Sequence, residues 1–348
     1  MPGLKRPILD LNFSMCLAPM VGLSHFYVRK MVQSYLPTGA KTIWPTEMLN
    51  SRRLPGQKVG ETPETLRDQE ETALVPQILG NEETPIRLSI EKLKLWGASG
   101  IDINMGCPVQ KALKHNYGVA LMGDASYAAQ VTAMAVRSST LPVSVKLRSG
   151  LSGDTDFLLD FVSGLESSGA SWITLHPRMA AEKRRGEAKW DQISIVRDSL
   201  KIPVIGNGDV QTLEDAQRLW SETHCDMVMV GRALMARPWL LWQWGEFLGF
   251  SPPPGREGET APKTPLQEGA EYGRALLFLI EKMKSNPNQN LALRQLRFFL
   301  KTGSVWLSYG HYLLALSTRA KNLEELSQYV NEFFSCPQKM HSRTQLRH

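Results

Sequence analysis

Short apolar runs alternate with longer segments of helical periodicity through the first two thirds of the chain. The runs lie at 15–18, 42–44, 74–78, 101–104, 143–147, 172–175, 203–205 and 227–230. Between them, 84–96, 126–138, 156–167 and 212–220 read as helices. The apolar runs are rich in Val, Ile and Leu and read without polar alternation, which suits parallel strands covered by helices. Their number matches the eight strands of a (β/α)8 TIM barrel. A doubly wound open sheet is the competing α/β architecture, weakened because no GxGxxG follows the first strand.

After Trp239 the pattern changes. Pro, Gly and charge dominate 251–265, and 272–284, 291–302 and 323–334 then carry apolar residues at three- and four-residue spacing. The expected organisation is an α/β barrel over 1–245, a linker over 246–265 and a small helical domain over 266–340. Such a domain would need to dock on the barrel to bury its apolar faces.

Composition narrows the picture. A chain of 348 residues suits a barrel of ~250 residues with an appendage. Cys16, Cys107, Cys225 and Cys336 are widely separated and form no CxxC pair, which argues against structural zinc and a disulfide framework and favours a reducing compartment. The first 13 residues hold no apolar signal core and no run of 18 apolar residues occurs, so a soluble, cytoplasmic protein without membrane or metal partners is expected. A net charge of +6 and a pI near 9.1 are compatible with a polyanionic partner such as nucleic acid, and equally with simple solubility.

Catalytic groups in barrels come from the C-terminal ends of several strands. Those ends here offer Pro19, Met20 and Val21; Glu47; Gln77; Asn104 and Cys107; Lys146 and Arg148; His176 and Arg178; Asn207, Gly208 and Asp209; and Gly231 and Arg232. Gly206, Gly208 and Gly231 on adjacent loops, with Arg232, suit a phosphate held by backbone N–H groups, although turns alone would also explain the glycines. Lys146 is costly inside an apolar strand without a partner; a strand twist that brings it to the surface would remove the cost, and a ring system that becomes negative on reduction would supply a partner. Cys107 sits between Gly106 and Pro108 on a tight loop. It reads as an inert buried thiol, a nucleophile, or a neutral thiol acting as an acid. No activating base is identifiable, and the acid is favoured because an ordinary thiol stays protonated at neutral pH.

Taken in order, LAPMVG (17–22), TEM (46–48), PQILG (76–80), NMGCP (104–108), YGVALM (117–122), VSVKLRSG (143–150), IPVIGNGDV (202–210) and VGRALMARPWL (230–240) resemble the tRNA-dihydrouridine synthase family. The resemblance implies an FMN-binding barrel and a C-terminal helical domain that grips tRNA or another structured RNA. It implies that Pro19, Met20, Val21, Gln77, Lys146, His176, Asn207, Gly208, Asp209, Gly231 and Arg232 surround FMN, with NAD(P)H as a transient reductant. Hydride would pass to carbon-6 of a uracil, and Cys107 would protonate carbon-5.

One segment departs from the family. His176-Pro177-Arg178-Met179 leads through Glu182 and Arg184 to Gly186-Glu187-Ala188-Lys189-Trp190, where the family has different residues at Met179, Glu182 and Arg184. Candidate substrate contacts are Glu47, Asn104, Arg148, Arg178 and Arg184, with Arg294, Arg297 and Lys301 as a basic stripe on one helix. The competing readings are an FMN oxidoreductase of a small molecule and a non-catalytic RNA-binding barrel. A monomer is expected.

Overall fold

The computed structural model describes residues 6–69, 71–182 and 185–344. Its sheet holds eight parallel strands: β1 (Met15–Leu17), β2 (Trp44–Asn50), β3 (Leu74–Leu79), β4 (Ile101–Met105), β5 (Val143–Arg148), β6 (Trp172–His176), β7 (Val204–Asn207) and β8 (Met227–Val230). They pair in the order β1-β8-β7-β6-β5-β4-β3-β2. The remaining seam, between β1 and β2, is drawn together by the Thr42 hydroxyl, which donates to the Met15 carbonyl at 2.6 Å. The chain is therefore a TIM barrel with helices appended at its C-terminal end.

Two expectations about the strands change. The second strand does not end at Trp44; it begins there and runs to Asn50, with Glu47 inside it. Pro45 pairs with Val75 and Met48 with Gln77, so β2 carries one extra residue opposite Pro76. A proline has no N–H to give to a ladder, and a bulge is the usual accommodation. The Thr46 hydroxyl closes the gap by accepting the Gln77 N–H at 3.3 Å.

The second correction concerns alternation. In β5, Val143, Val145 and Leu147 pack outward with the helices. Ser144, Lys146 and Arg148 point inward, where their partners are Asp102, Asn207 and the Gly106 carbonyl. The strand is thus two-faced, apolar toward the helices and polar toward the axis. A separate apolar cluster that includes Val75, Trp172, Ile205 and Met227 packs near the N-terminal ends of their strands.

The helical segment begins at a well-marked boundary. Thr264 and Gln267 form a reciprocal capping box, with Pro265 opening the helix Pro265–Met283. Asn288 and Asn322 cap the helices Gln289–Gly303 and Leu323–Phe334. From residue 240 onward the structure adds two α-helices to those expected. Leu240–Leu248 crosses the expected boundary at residue 245. Gly310–Arg319 has no side-chain cap and starts at a glycine where a Cβ would lie 1.8 Å from the Ser304 carbonyl oxygen. The linker is packed rather than loose: the Thr38 hydroxyl, from the barrel side, donates to the Pro252 carbonyl at 2.7 Å, and the Ala261 N–H donates to Glu246 Oε1 on the helix Leu240–Leu248 at 2.6 Å.

Candidate active site at the strand C-termini

A cavity of about 990 Å³ opens where the C-terminal strand ends meet the helical segment. Pro19, Met20, Val21, Gln77, Asn104, Cys107, Lys146, Arg148, His176, Arg178, Asn207, Gly208, Asp209, Gly231 and Arg232 all line it. Phe298, Lys301 and Val305 of the helical segment form part of its wall. Period-2 placement explains the convergence: Gln77, Asn104, Lys146, His176 and Asn207 are inward positions close to the C-terminal ends of β3, β4, β5, β6 and β7.

The electrostatics are those of an anion site. Burial is the main cause that holds His176 neutral, well below the ordinary histidine range, and the charges of Lys146, Arg148, Arg178 and Arg232 add to it. Its Nε2 is buried and has no partner within the protein. The ring lies against Gly208, where φ is +133° and a Cβ would stand 3.1 Å from the imidazole. Burial and the nearby Arg148 lower Lys146 to about 8. Lys146 Nζ donates to Asn207 Oδ1 at 3.1 Å, and Asn207 Nδ2 in turn donates to the Met229 carbonyl at 2.7 Å. A neutral imidazole with an open nitrogen, a lysine that stays mostly protonated at neutral pH, and close glycine backbone fit the polar edge of a heterocycle that gains negative charge.

Cys107 stands on the loop beyond β4, half-buried among Tyr117, Ala112, Leu79 and Met48. Its N–H and that of Gly106 both donate to Asn104 Oδ1, at 2.9 and 3.1 Å. Its carbonyl accepts the Val119 N–H at 3.1 Å. Gly118 is required behind it: φ is +57° there, and a Cβ would come within 2.6 Å of the Cys107 oxygen. The thiol is therefore carried on a loop fixed from both sides, at the cavity lining, with Arg148 bonded to the Gly106 carbonyl beside it.

Several expected contacts are engaged elsewhere. Arg178 is buried and donates twice to Asp209, at 2.7 and 3.0 Å, and once to the Gly186 carbonyl; Asp209 also accepts the Ala188 N–H. The pair ties the loop after β6 to the loop after β7. Arg297 donates to the carbonyls of Ser317, Thr318 and Ala320, closing the end of the helix Gly310–Arg319, so the basic stripe divides. Arg294 is exposed and Lys301 faces the cavity. Glu47 lies outside the cavity lining, and Arg184 falls outside the described residues. The wall residues Phe298 and Val305 were not singled out from sequence, because a helix reading alone does not say which face meets the barrel mouth.

Burial raises Glu47 to about 7, partly offset by the Gly22 N–H, and its Oε1 has no partner. Its folded value exceeds the unfolded one, so the native state binds more protons between about 4.5 and 7 and stability falls as pH rises through that window. Glu47→Gln is expected to stabilise the protein by on the order of 2 kcal/mol at pH 8 and by little at pH 4.5, read by denaturant unfolding at the two pH values.

These features suit an enzyme of the α/β-barrel class with its candidate active site at the strand C-termini. The family model for dihydrouridine synthase (Dus) matches residues 16–301. A probable tRNA-dihydrouridine synthase of Rickettsia conorii is 34% identical over 242 residues, covering 69% of this chain and 72% of that protein. The tRNA-dihydrouridine synthase B of Pseudomonas aeruginosa is 29% identical over 260 residues, covering 72% and 73%. Among solved structures, histamine dehydrogenase from Rhizobium sp. 4-9 superposes with a TM-score of 0.51 at 10% identity, over 71% of this chain and 47% of that one, a likeness of fold alone. The chain belongs to the dihydrouridine synthase family, and is an oxidoreductase. Among the described residues no group of three or more His, Cys, Asp and Glu could hold a metal ion, and no helix is long and apolar enough to cross a membrane.

Proposed function

We propose that this enzyme is an FMN-dependent tRNA-dihydrouridine synthase that reduces the carbon-5/carbon-6 double bond of specific uridines, with NAD(P)H as reductant and Cys107 as proton donor. One observation carries the reading: a single cavity holds an anion-seeking wall of Lys146, His176 and Asn207, a thiol on a fixed loop, and a rim supplied by the helical segment. FMN bound there supplies the hydride that goes to carbon-6 of the uracil.

The protein's part is orientation and proton control. Lys146 and the open Nε2 of His176 receive the polar edge of the isoalloxazine, and the backbone at Gly208 and Gly231 with Arg232 receives the phosphate. Cys107 Sγ gives its proton to carbon-5, and its loop has no freedom to withdraw because Asn104 and Val119 hold both of its backbone groups. Exposed Phe298 and cationic Lys301 at the rim suit a nucleotide drawn out of its stack, by base contact and by phosphate contact respectively.

The test is to map dihydrouridine in RNA from cells with and without the gene. Loss of the modified base at one or a few uridines is expected; an unchanged map would overturn the proposal in favour of a small-molecule substrate or of RNA binding without catalysis. Lys146 adds a pH criterion. Its protonated form is the one that donates most strongly to the polar ring edge, so FMN affinity of the apoprotein should weaken as pH rises above about 8. Lys146→Met is expected to lose about tenfold in affinity at pH 7 and to bind with no such pH dependence, as measured by fluorescence titration.

A further inference from the structure

The inner faces of β3, β4 and β5 hold a buried carboxylate that touches neither the loop of Cys107 nor the cavity wall formed by the helical segment. Asp102 registers with Gln77 on one side and Ser144 on the other. Gln77 Nε2 donates to its Oδ2 at 2.7 Å, and the Ser144 hydroxyl donates to its Oδ1 at 2.6 Å. Gln77 Oε1 accepts from Asn104 Nδ2 at 2.7 Å. Asn104 Oδ1 then accepts the N–H groups of Gly106 and Cys107. These groups form one directed chain from the carboxylate to the loop that carries the thiol.

We propose that Asp102 is a positioning residue that sets the donor–acceptor polarity of Gln77 and Asn104 and so fixes the Cys107 loop. A side-chain amide can present either its oxygen or its NH2 in a given direction, so a chain of two amides has alternative arrangements. Here both ends are determined. Backbone N–H groups can only donate, so Asn104 must turn its oxygen to the loop and its NH2 to Gln77. An ionised carboxylate can only accept, so Gln77 must turn its NH2 to Asp102 and its oxygen to Asn104. The two requirements agree, and each bond reinforces the next in a buried setting. Ser144 donates to the same carboxylate but lies outside the path to Cys107, and so serves as an internal control.

The role in catalysis rests on the assignment of Cys107 as proton donor; the positioning itself does not, and it is read without substrate or turnover. The measurement is amide hydrogen exchange at Gly106 and Cys107 in the purified protein. In Asp102→Asn the carboxamide can face either way, the polarity is no longer imposed, and exchange at both amides should rise about tenfold. Ser144→Ala should leave it within twofold of wild type. Should Asp102→Asn fold poorly, the Asp102→Asn/Gln77→Glu pair moves the acceptor-only group one step along the same chain. The carboxamide at position 102 then donates to the carboxylate at position 77, Asn104 is unchanged, and exchange should return to within threefold of wild type. Unchanged exchange in Asp102→Asn, equal acceleration in Ser144→Ala, or no recovery in the folded double variant would each overturn the proposal. If exchange responds as expected but no uridine is modified in cells, the positioning chain stands and the functional reading falls.

Discussion

Cys107→Ala is expected to leave FMN content and its reduction by NAD(P)H within about twofold of wild type, while slowing uridine reduction by roughly 10²–10⁴-fold. The split follows from placement. The thiol lies on the β4 loop and takes no part in the bonds that join Lys146 to Asn207 and Asn207 to the Met229 carbonyl, so its loss leaves those groups in place. Gly106 and Cys107 N–H bonds to Asn104 are backbone contacts and survive the substitution, as does the Val119 bond. What the proposed mechanism loses is the proton for carbon-5. Rapid mixing of prereduced enzyme with RNA measures that step alone, and wild-type rates in the alanine variant would remove the acid role. Cys107→Ser tests the chemistry further: a hydroxyl of similar size is a far weaker acid, so it should resemble alanine rather than cysteine.

Much of this site was readable in the sequence because the barrel converts strand ends into a ring. Gln77, Asn104, Lys146, His176 and Asn207 could be placed together from strand position alone. The polar interior was harder to see. In Val143-Ser144-Val145-Lys146-Leu147-Arg148 a serine and two long cations look like interruptions of an apolar run, whereas they are the whole inner face of the strand. Asp102 is silent in the sequence for the same reason, since a carboxylate between two isoleucines signals nothing until its register with Gln77 and Ser144 is known. Charge counting leaves out what each cation already holds. Arg178 and Arg297 fit the expected pattern for RNA contact, but three bonds apiece hold them to other parts of the protein. Sequence spacing shows which side of a helix a cation occupies, and the carbonyls or carboxylates waiting there come from distant segments.

The largest stability effect is expected at the junction between the barrel and the helical segment, from Glu271→Ala. Glu271 is wholly buried on the helix Pro265–Met283. The Tyr35 hydroxyl, from the barrel side, donates to its Oε1 at 2.6 Å. Arg256 of the linker bonds the same oxygen, and Arg274 reaches Oε2 through Nε at 3.0 Å. Burial, with the charge of Glu271 beside it, pushes the Tyr35 phenol up, so the phenol remains a donor at any physiological pH. Arg256 also stacks over Trp242, with 5.4 Å to the ring centroid, and pairs with Glu259 at 2.8 Å. One carboxylate therefore joins barrel, linker and helix. Deleting it leaves the Arg256 charge and the Tyr35 hydroxyl desolvated without their shared partner, a change that costs about 3–5 kcal/mol. Arg274→Ala removes a partner that is more than half exposed and should cost under ~1 kcal/mol, although it breaks a contact to the same group. Equilibrium unfolding in urea distinguishes the two. Because Phe298 and Lys301 belong to the segment that Glu271 anchors, Glu271→Ala should also weaken RNA binding at temperatures where FMN is still held. A variant as stable as wild type would mean that the helical segment is held to the barrel by its apolar contacts alone.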